Sequence, residues 1–353
     1  MSELREILAD TLSRQLDDVL TVSMRTDAEQ GVWPASLWTA LEVAGVTHAL
    51  DGVAHGGPGA AFEDVFAIAY HAGHAAAPVP LVETMVANGL LSRAGIAPRD
   101  GVVALIAGAS AAGLERRGSS YSGTAANVPW GRDADAIVLV KEREVALFHA
   151  SALSIELAAN VSGEPRDKVR FDEAVPEAMG TLPEGFPCNT GLLLAAMARS
   201  AQMAGAASWV LDETLQYANN RVQFGRPLGK IQAIQHYLAT LASRVAQATT
   251  ATEHAFSTCD LGLDKRTGAE LDIASAKIVV GEAAESACAV GHQIHGAIGF
   301  TREYALHYRT RRLMAWRAEF GSESYWAERL GQQVVARGAE QLWPDITAKG
   351  EDR

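Results

Sequence analysis

The sequence predicts a mainly α chain with an inserted β domain: an N-terminal helical domain over 1–101, a middle β domain over 102–182 and a C-terminal helical bundle over 183–353. Three observations predict it. Apolar residues recur at helical spacing through the first hundred positions. The texture then switches to short runs rich in Val, Ile, Ala and Tyr, punctuated by Gly and charged turns. After the boundary PEGFPCNTG (183–191) it returns to long, Ala-rich segments poor in Gly and Pro, which favour helix.

Taken in order, LREILADTLSRQL has helical spacing, SLWTALEVAG ends on a Gly stop, and EDVFAIAYHAGHAAA continues the pattern. HGGPGA (55–60) is a loop breaker between two of these helices; no strand precedes it, so it reads as a turn and not as a phosphate loop. GVVALIAG, SSYSGTAANVPWG, ADAIVLVK and EVALFHA have strand texture at a spacing suited to a small antiparallel barrel or sandwich. Helical segments follow at 190–218, 228–260, 268–296 and about 320–340, long enough to pack as a bundle, with GLDKRTG (262–268) as a hinge.

Composition narrows the function. Over 353 residues, 48% are apolar and 20% charged, as in a globular protein with a well-buried core. The formal net charge of −12 argues against nucleic acid as the main partner, because phosphate binding needs a basic face. Cys188, Cys259 and Cys288 are scattered without CxxC spacing, which reads as buried thiols in a reducing compartment. MSELREILADTLSRQL lacks the apolar core of a secretory signal, and no apolar run reaches the length of a membrane span. The expected location is the cytoplasm.

Two clusters carry chemistry. NNRVQFGRPLGKIQAIQHYLA (219–239) places Arg221, Gln223, Phe224 and Gly225 between the end of one helix and the start of the next. Backbone donors at a helix start, with an Arg fork beside them, suit an anion such as a pyrophosphate. A helix–helix corner whose Arg pairs with a carboxylate is the competing account. The second cluster, HQIHGAIG (292–299), offers Gln293 together with Gly296 and Gly299, which permit close backbone approach to a ligand. A helix end capped by Gly explains the same residues. His292 and His295 stand three apart, but no third ligand matches them, so no metal is expected. Arg302, Arg309, Arg311, Arg312 and Arg317 follow; surface or inter-subunit ion pairs are expected for most of them, with a phosphate as the alternative for one or two. No G-x-S-x-G elbow, HExxH or Walker loop occurs.

RVQFGRPL with Gln232, and QIHGAIGFTREY about seventy residues later with helices between, closely resemble the acyl-CoA dehydrogenases. The helix–β–helix order extends the resemblance over nearly the whole chain. It implies α,β-dehydrogenation of an acyl-CoA thioester, with FAD as hydride acceptor and an electron-transfer flavoprotein as the family's usual oxidant. It also implies that the two motifs hold the ADP half of an FAD that reaches into a neighbouring homologous subunit, commonly within a tetramer. Carried over, Arg221 pairs with the pyrophosphate; Gln223, Phe224 and Gln232 line the cofactor; and Gln293, Gly296 and Ala297 cover the adenosine end. Ala297 stands where a second Gly is usual.

Departures from the family pattern are equally specific. Its Thr-Glu-Pro-Gly-(Ala/Ser)-Gly-Ser-Asp loop, which lies against the flavin ring and the acyl-CoA, reads ALIAGASAAGLERRG here. The strand that stacks on the flavin reads TAANVPWGRDAD, with Trp130 either in that role or only packing. The reaction needs a carboxylate to take the α-proton. The Tyr-Glu-Gly-Thr turn that supplies it in most members reads Glu319-Phe320-Gly321-Ser322, which puts Phe320 at the Glu position and Glu319 one residue early. The alternative position used by isovaleryl-CoA dehydrogenase falls at Leu261, beside Asp260. Three functions follow: one subunit of a two-chain dehydrogenase that shares its sites, with steroid or other bulky acyl-CoA as substrate; a stand-alone homo-oligomer with Glu319 or Asp260 as base; or a non-catalytic scaffold subunit.

Overall fold

The computed structural model describes residues 3–259 and 267–347. Five helices come first: α1 (Glu3–Val19), α2 (Val22–Glu29), α3 (Ala35–Val43), α4 (Phe62–Ala75) and α5 (Leu81–Arg93). The β region contains β1 (Val103–Ile106), β2 (Leu114–Arg117), β3 (Ser120–Pro129), β4 (Ala136–Lys141), β5 (Glu144–His149), β6 (Ser154–Glu156), β7 (Arg166–Ala174) and β8 (Ala178–Thr181). Helix α6 (Thr190–Asn220) leads through a two-stranded hairpin, β9 (Val222–Gln223) and β10 (Arg226–Pro227), into α7 (Gln232–Cys259). Then come α8 (Thr267–His295), α9 (Leu306–Trp316), α10 (Glu323–Arg337) and α11 (Ala339–Thr347).

The strands form two four-stranded sheets, ordered β1-β4-β5-β8 and β2-β3-β7-β6. The expected antiparallel arrangement holds with one exception: β1 and β4 run parallel, with Val103 opposite Ala136 and Ile106 opposite Leu139. Alternate residues explain why VALI and AIVLV are continuous apolar runs. Ala104, Ile106, Ile137, Leu139 and Phe148 face a core shared with the second sheet, where Tyr121, Val169 and Phe171 lie. Val103, Leu105, Val138, Val140 and Leu147 face the helices. A sheet covered on both faces has no polar face to show. In β7 the exposed and buried positions alternate instead, because one face meets solvent.

Helix α6 is central. Every residue from Thr190 to Ala207 is buried, so the segment is covered all round and carries no amphipathic stripe. Its first half joins the core built on the N-terminal helices, and its second half packs with α7, α8 and α9. The arginine row from 302 onward folds largely into α9, a helix absent from the expected set. The expected hinge at 262–268 lies mainly outside the described residues.

Candidate functional site

Helix α6 stops at Arg221, whose backbone is extended and whose N–H donates to the Tyr217 carbonyl (2.9 Å). Gln223 pairs with Arg226 and Val222 with Pro227, which leaves Phe224 and Gly225 as the two turn residues. Both have positive φ, 53° and 75°, the signature of a type I′ turn. Gly adopts this without strain, but a bulky residue with a Cβ resists it, by about 1–2 kcal/mol. Phe224 is also 87% exposed, so nothing within the chain rewards the strained aromatic. Below the turn, Leu228 N–H donates to the Arg221 carbonyl (2.9 Å) and Gln235 Nε2 to the Gly229 carbonyl (2.9 Å).

At the end of α8, Gln293, Gly296 and Ala297 are exposed, and Gly296 takes a left-handed φ of 63° that turns the chain out of the helix. The structure brings this segment beside the corner. Tyr217, one turn before Arg221, stacks on His295 with ring centroids 4.3 Å apart. Arg221, Gln223, Gln232 and Gln293 all have exposed side chains. Every residue expected to meet the cofactor therefore lies on the surface. His292 and His295 engage different protein groups, Thr310 Oγ1 (3.0 Å) and the Gly291 carbonyl (2.7 Å). Burial lowers the pKa of both rings.

A separate cavity of about 420 Å³ gathers three segments distant in sequence. Ala107, Ala109 and Ser110 come from the turn after β1, Asn127 and Pro129 from the end of β3, and Glu319, Phe320 and Gly321 from the turn before α10. These are three of the places where the sequence departs from the family pattern, and they meet in space. A bulge in β3 between Ala125 and Val128 leaves Asn127 exposed with φ 55°. Trp130, the aromatic considered for stacking, is not among the lining residues. It is buried edge-on against Trp33 (6.0 Å, 75°), so it packs between the β region and the N-terminal helices.

Glu319 is fully engaged. Oε1 accepts from Arg166 Nε (2.7 Å) and Asn160 Nδ2 (3.2 Å), and Oε2 from Arg166 Nη2 (3.0 Å). Arg199 Nη2 stands 3.0 Å from the same Oε2 and also meets Glu83. Arg166 continues to Glu164 (3.1 Å), which in turn takes Arg312 (2.8 Å) and the Trp316 indole N–H (2.8 Å). Three carboxylates thus alternate with three guanidiniums, the charge-paired arrangement that buried ions require. Burial alone would raise the Glu319 pKa, but Arg166 and Arg199 outweigh it and hold it below the usual range. Burial acts likewise on Glu164, and Arg312, Arg166 and Arg199 overcome it to hold that group at about 2. Lys277 Nζ donates to the carbonyls of Trp316 and Arg317, pinning the end of α9 and with it this turn.

Sequence reasoning missed this chain of ions. The signal was present: Glu83 in LVETMV and Arg199 in LLLAAMARSAQM are lone charges inside apolar helices. A buried charge needs a partner, so each predicts an oppositely charged neighbour. The arginine row needs correction as well. Arg309 and Arg312 are buried, the former 3.8 Å over the Trp209 ring and bonded to the His74 carbonyl. Arg311 pairs with Glu29, and Arg317 with Glu285 and Glu323. The alternative base position, Asp260 and Leu261, lies outside the described residues.

Comparison with known proteins agrees with this fold. Residues 188–335 match the family model described as acyl-CoA dehydrogenase, C-terminal domain. Acyl-CoA dehydrogenase FadE34 of Mycobacterium tuberculosis is 28% identical over 82% of this chain, which spans only 41% of that relative's length. Acyl-CoA dehydrogenase IpdE2 of the same organism is 27% identical over 88% of this chain and 89% of its own. Among solved structures, the ChsE4-ChsE5 complex from Mycobacterium tuberculosis superposes with a TM-score of 0.84 at 21% identity, covering 95% of this chain and 98% of the matched one. A Tcur3481-Tcur3483 steroid ACAD variant gives 0.84 at 24% identity, covering 95% and 98%. PigA with FAD and proline gives 0.82 at 20% identity, covering 96% and 99%. With its two motifs side by side on one surface and its helix–sheet–helix order intact, the chain carries an acyl-CoA dehydrogenase C-terminal domain over residues 188–335 and shares the fold of the acyl-CoA dehydrogenases along most of its length.

Proposed function

We propose that this chain is an FAD-binding subunit of an acyl-CoA dehydrogenase assembled from two unlike homologous chains, and that the partner supplies the α-proton base. One observation carries the proposal. The Arg221–Gly225 corner projects a strained, 87% exposed Phe224, and the Tyr217–His295 stack brings the corner beside the exposed 293–297 segment, while Glu319, the only carboxylate lining the cavity among the described residues, is already engaged on both oxygens.

The corner residues fit FAD. The Arg221 guanidinium suits a pyrophosphate, and the left-handed Gly296 lets backbone approach an adenosine without a Cβ in the way. Phe224 offers a rigid apolar face, and Gln223, Gln232 and Gln293 offer amides. When bound, the flavin supplies the acceptor for the β-hydrogen of the acyl thioester while a carboxylate takes the α-proton. The residues of this chain then bind and orient. Ala107, Pro129, Leu192 and Phe320 give the cavity an apolar lining that excludes water, and the ion pairs of Glu319 hold the 319–321 turn in place. Glu319 accepts no further proton readily, because two guanidiniums favour its ionised form.

A bulky CoA thioester, of steroid type, is the substrate class proposed, with an electron-transfer flavoprotein as oxidant and the cytoplasm as location. Support comes from the fold shared with a two-chain complex and with a steroid enzyme, and from three free cysteines, of which Cys259 is buried and Cys188, against expectation, is exposed. Flavin content, measured on the purified chain alone and with its co-expressed homologue, tests the assembly. Flavin is expected to be retained only in the mixed oligomer; a homo-oligomer that holds flavin and turns over acyl-CoA would overturn the two-chain proposal. Within the assembly, Arg221→Ala removes a charge-assisted contact of about 1.5–3 kcal/mol, so flavin occupancy is expected to fall tenfold or more. Full yellow colour in the variant would sink the assignment of the corner.

A further inference from the structure

We infer that a ring clasp between Tyr217 and His295, neither of them expected to touch the cofactor, sets FAD affinity by holding the two cofactor-facing segments in register. The inference rests on the FAD proposal above. Arg221 lies one turn after Tyr217 at the end of α6, whereas Gln293, Gly296 and Ala297 flank His295 at the end of α8. The rings stack at 4.3 Å and 28°, and the Tyr217 hydroxyl donates to the His295 carbonyl (3.4 Å). Aromatic pairs at this separation are directional and stabilising beyond their burial.

His295 is also held by the Gly291 carbonyl and the Tyr304 ring. Its side chain is buried, and Nδ1–H donates to the Gly291 carbonyl (2.7 Å), which sets the tautomer and leaves Nε2 as a bare lone pair. The Tyr304 ring lies 5.0 Å away, and its hydroxyl bonds Glu213 of α6. A Cβ on Gly291 would come within 3.0 Å of Val210, so α6 and α8 approach closely at this level. The clasp therefore ties the two helix ends together where the corner and the 293–297 segment diverge into solvent. A pyrophosphate and an adenosine belong to one rigidly linked ligand, so contacts to both are made together only if the segments keep their spacing.

The test uses the assembled holoenzyme stripped of flavin and titrated with FAD. Tyr217→Leu removes the ring and is expected to weaken FAD binding by about tenfold or more, because support for a binding shell governs its precision. Tyr217→Phe keeps the stack and is expected to stay within about twofold of wild type, a rescue that separates the ring from general loss of structure. Sedimentation and far-ultraviolet circular dichroism check that the flavin-free variants remain assembled. If Tyr217→Leu does not assemble, His295→Leu gives the same comparison with an apolar side chain in the buried site. Wild-type FAD affinity in a ring-deleted variant would overturn the clasp, as would equal loss in the Phe and Leu variants. If Arg221→Ala also keeps its flavin, the FAD proposal itself fails; if only the ring variants keep it, the clasp alone is refuted.

Discussion

Glu319 lines the cavity, yet its surroundings are those of a buried ion pair. A proton acceptor needs a pKa near the working pH and a free lone pair aimed at the substrate. Both oxygens of Glu319 instead accept from Arg166, Arg199 or Asn160, and the two guanidiniums keep the group ionised. Glu319→Gln would leave those buried cations partly uncompensated. Breaking a buried pair this way is expected to cost about 3–5 kcal/mol, read as a lower urea midpoint. In the assembled enzyme at a temperature where the variant stays folded, flavin reduction by an accepted acyl-CoA is expected within about threefold of wild type, since loss of a true base costs about 10²–10⁴. A hundredfold collapse with flavin still bound would make Glu319 the base.

The corner hairpin is the element with the clearest conflict between local preference and observed conformation. A type I′ turn prefers Asn-Gly, because both central residues need positive φ. This chain has Phe224-Gly225 instead, with the aromatic in solvent. Strain kept at an exposed position points to a ligand or partner that rewards it. Phe224→Asn is therefore expected to leave the thermal midpoint of the isolated chain unchanged or slightly higher, while lowering flavin retention in the assembly. Gly225→Ala acts oppositely on the fold. A Cβ at φ 75° is expected to destabilise by about 1–2 kcal/mol, measurable in the same denaturation series. If Phe224→Asn lowers stability and leaves flavin untouched, the aromatic is packing and nothing more.

Over the whole molecule the titrating groups tilt stability in one direction. Burial lowers the pKa of His71, His74, His292 and His295 from the ordinary 6.5. Each takes up a proton more readily when unfolded, so stability is lost as pH falls through 6.5 toward the folded values. His48 opposes them, its pKa raised by the hydrogen bond to Asp51. Its contribution is present below 6.5 and fades as pH rises through the folded value. Lys277, which burial pushes down to about 7, adds the first sign over the window between about 7 and 10.5. Glu164, held at about 2, and Glu319 extend the loss below 4.5. Four histidines against one give the net sign: the urea midpoint is expected to fall as pH is taken from about 7.5 to about 5.5. A midpoint that rises over that range would contradict the assignment of these imidazoles as buried and neutral.

What the sequence determined by itself was whatever short-range pattern encodes. Helical spacing announced α1, α3 and α4, long Ala-rich stretches poor in Gly and Pro announced α6, α7 and α8, and apolar runs announced β1, β4 and β5, because local pattern and propensity record what a chain must bury. RVQFGRPL and QIHGAIG named the residues at two helix ends, since turn chemistry is local. The parallel pairing of β1 with β4 was not legible, because strand partners are chosen by distant segments and by the helices that cover them. Nor was α9, whose face is defined by Glu164 and His74 far away in the chain. Only the tertiary structure placed Tyr217 on His295 and gathered Ala107, Asn127 and Phe320 around one cavity. It alone paired Glu83 with Arg199 across 116 residues and gave Glu319 its guanidiniums. A charge in an apolar helix declares that it has a partner, but low dielectric and close packing decide which one, and that decision belongs to the folded chain.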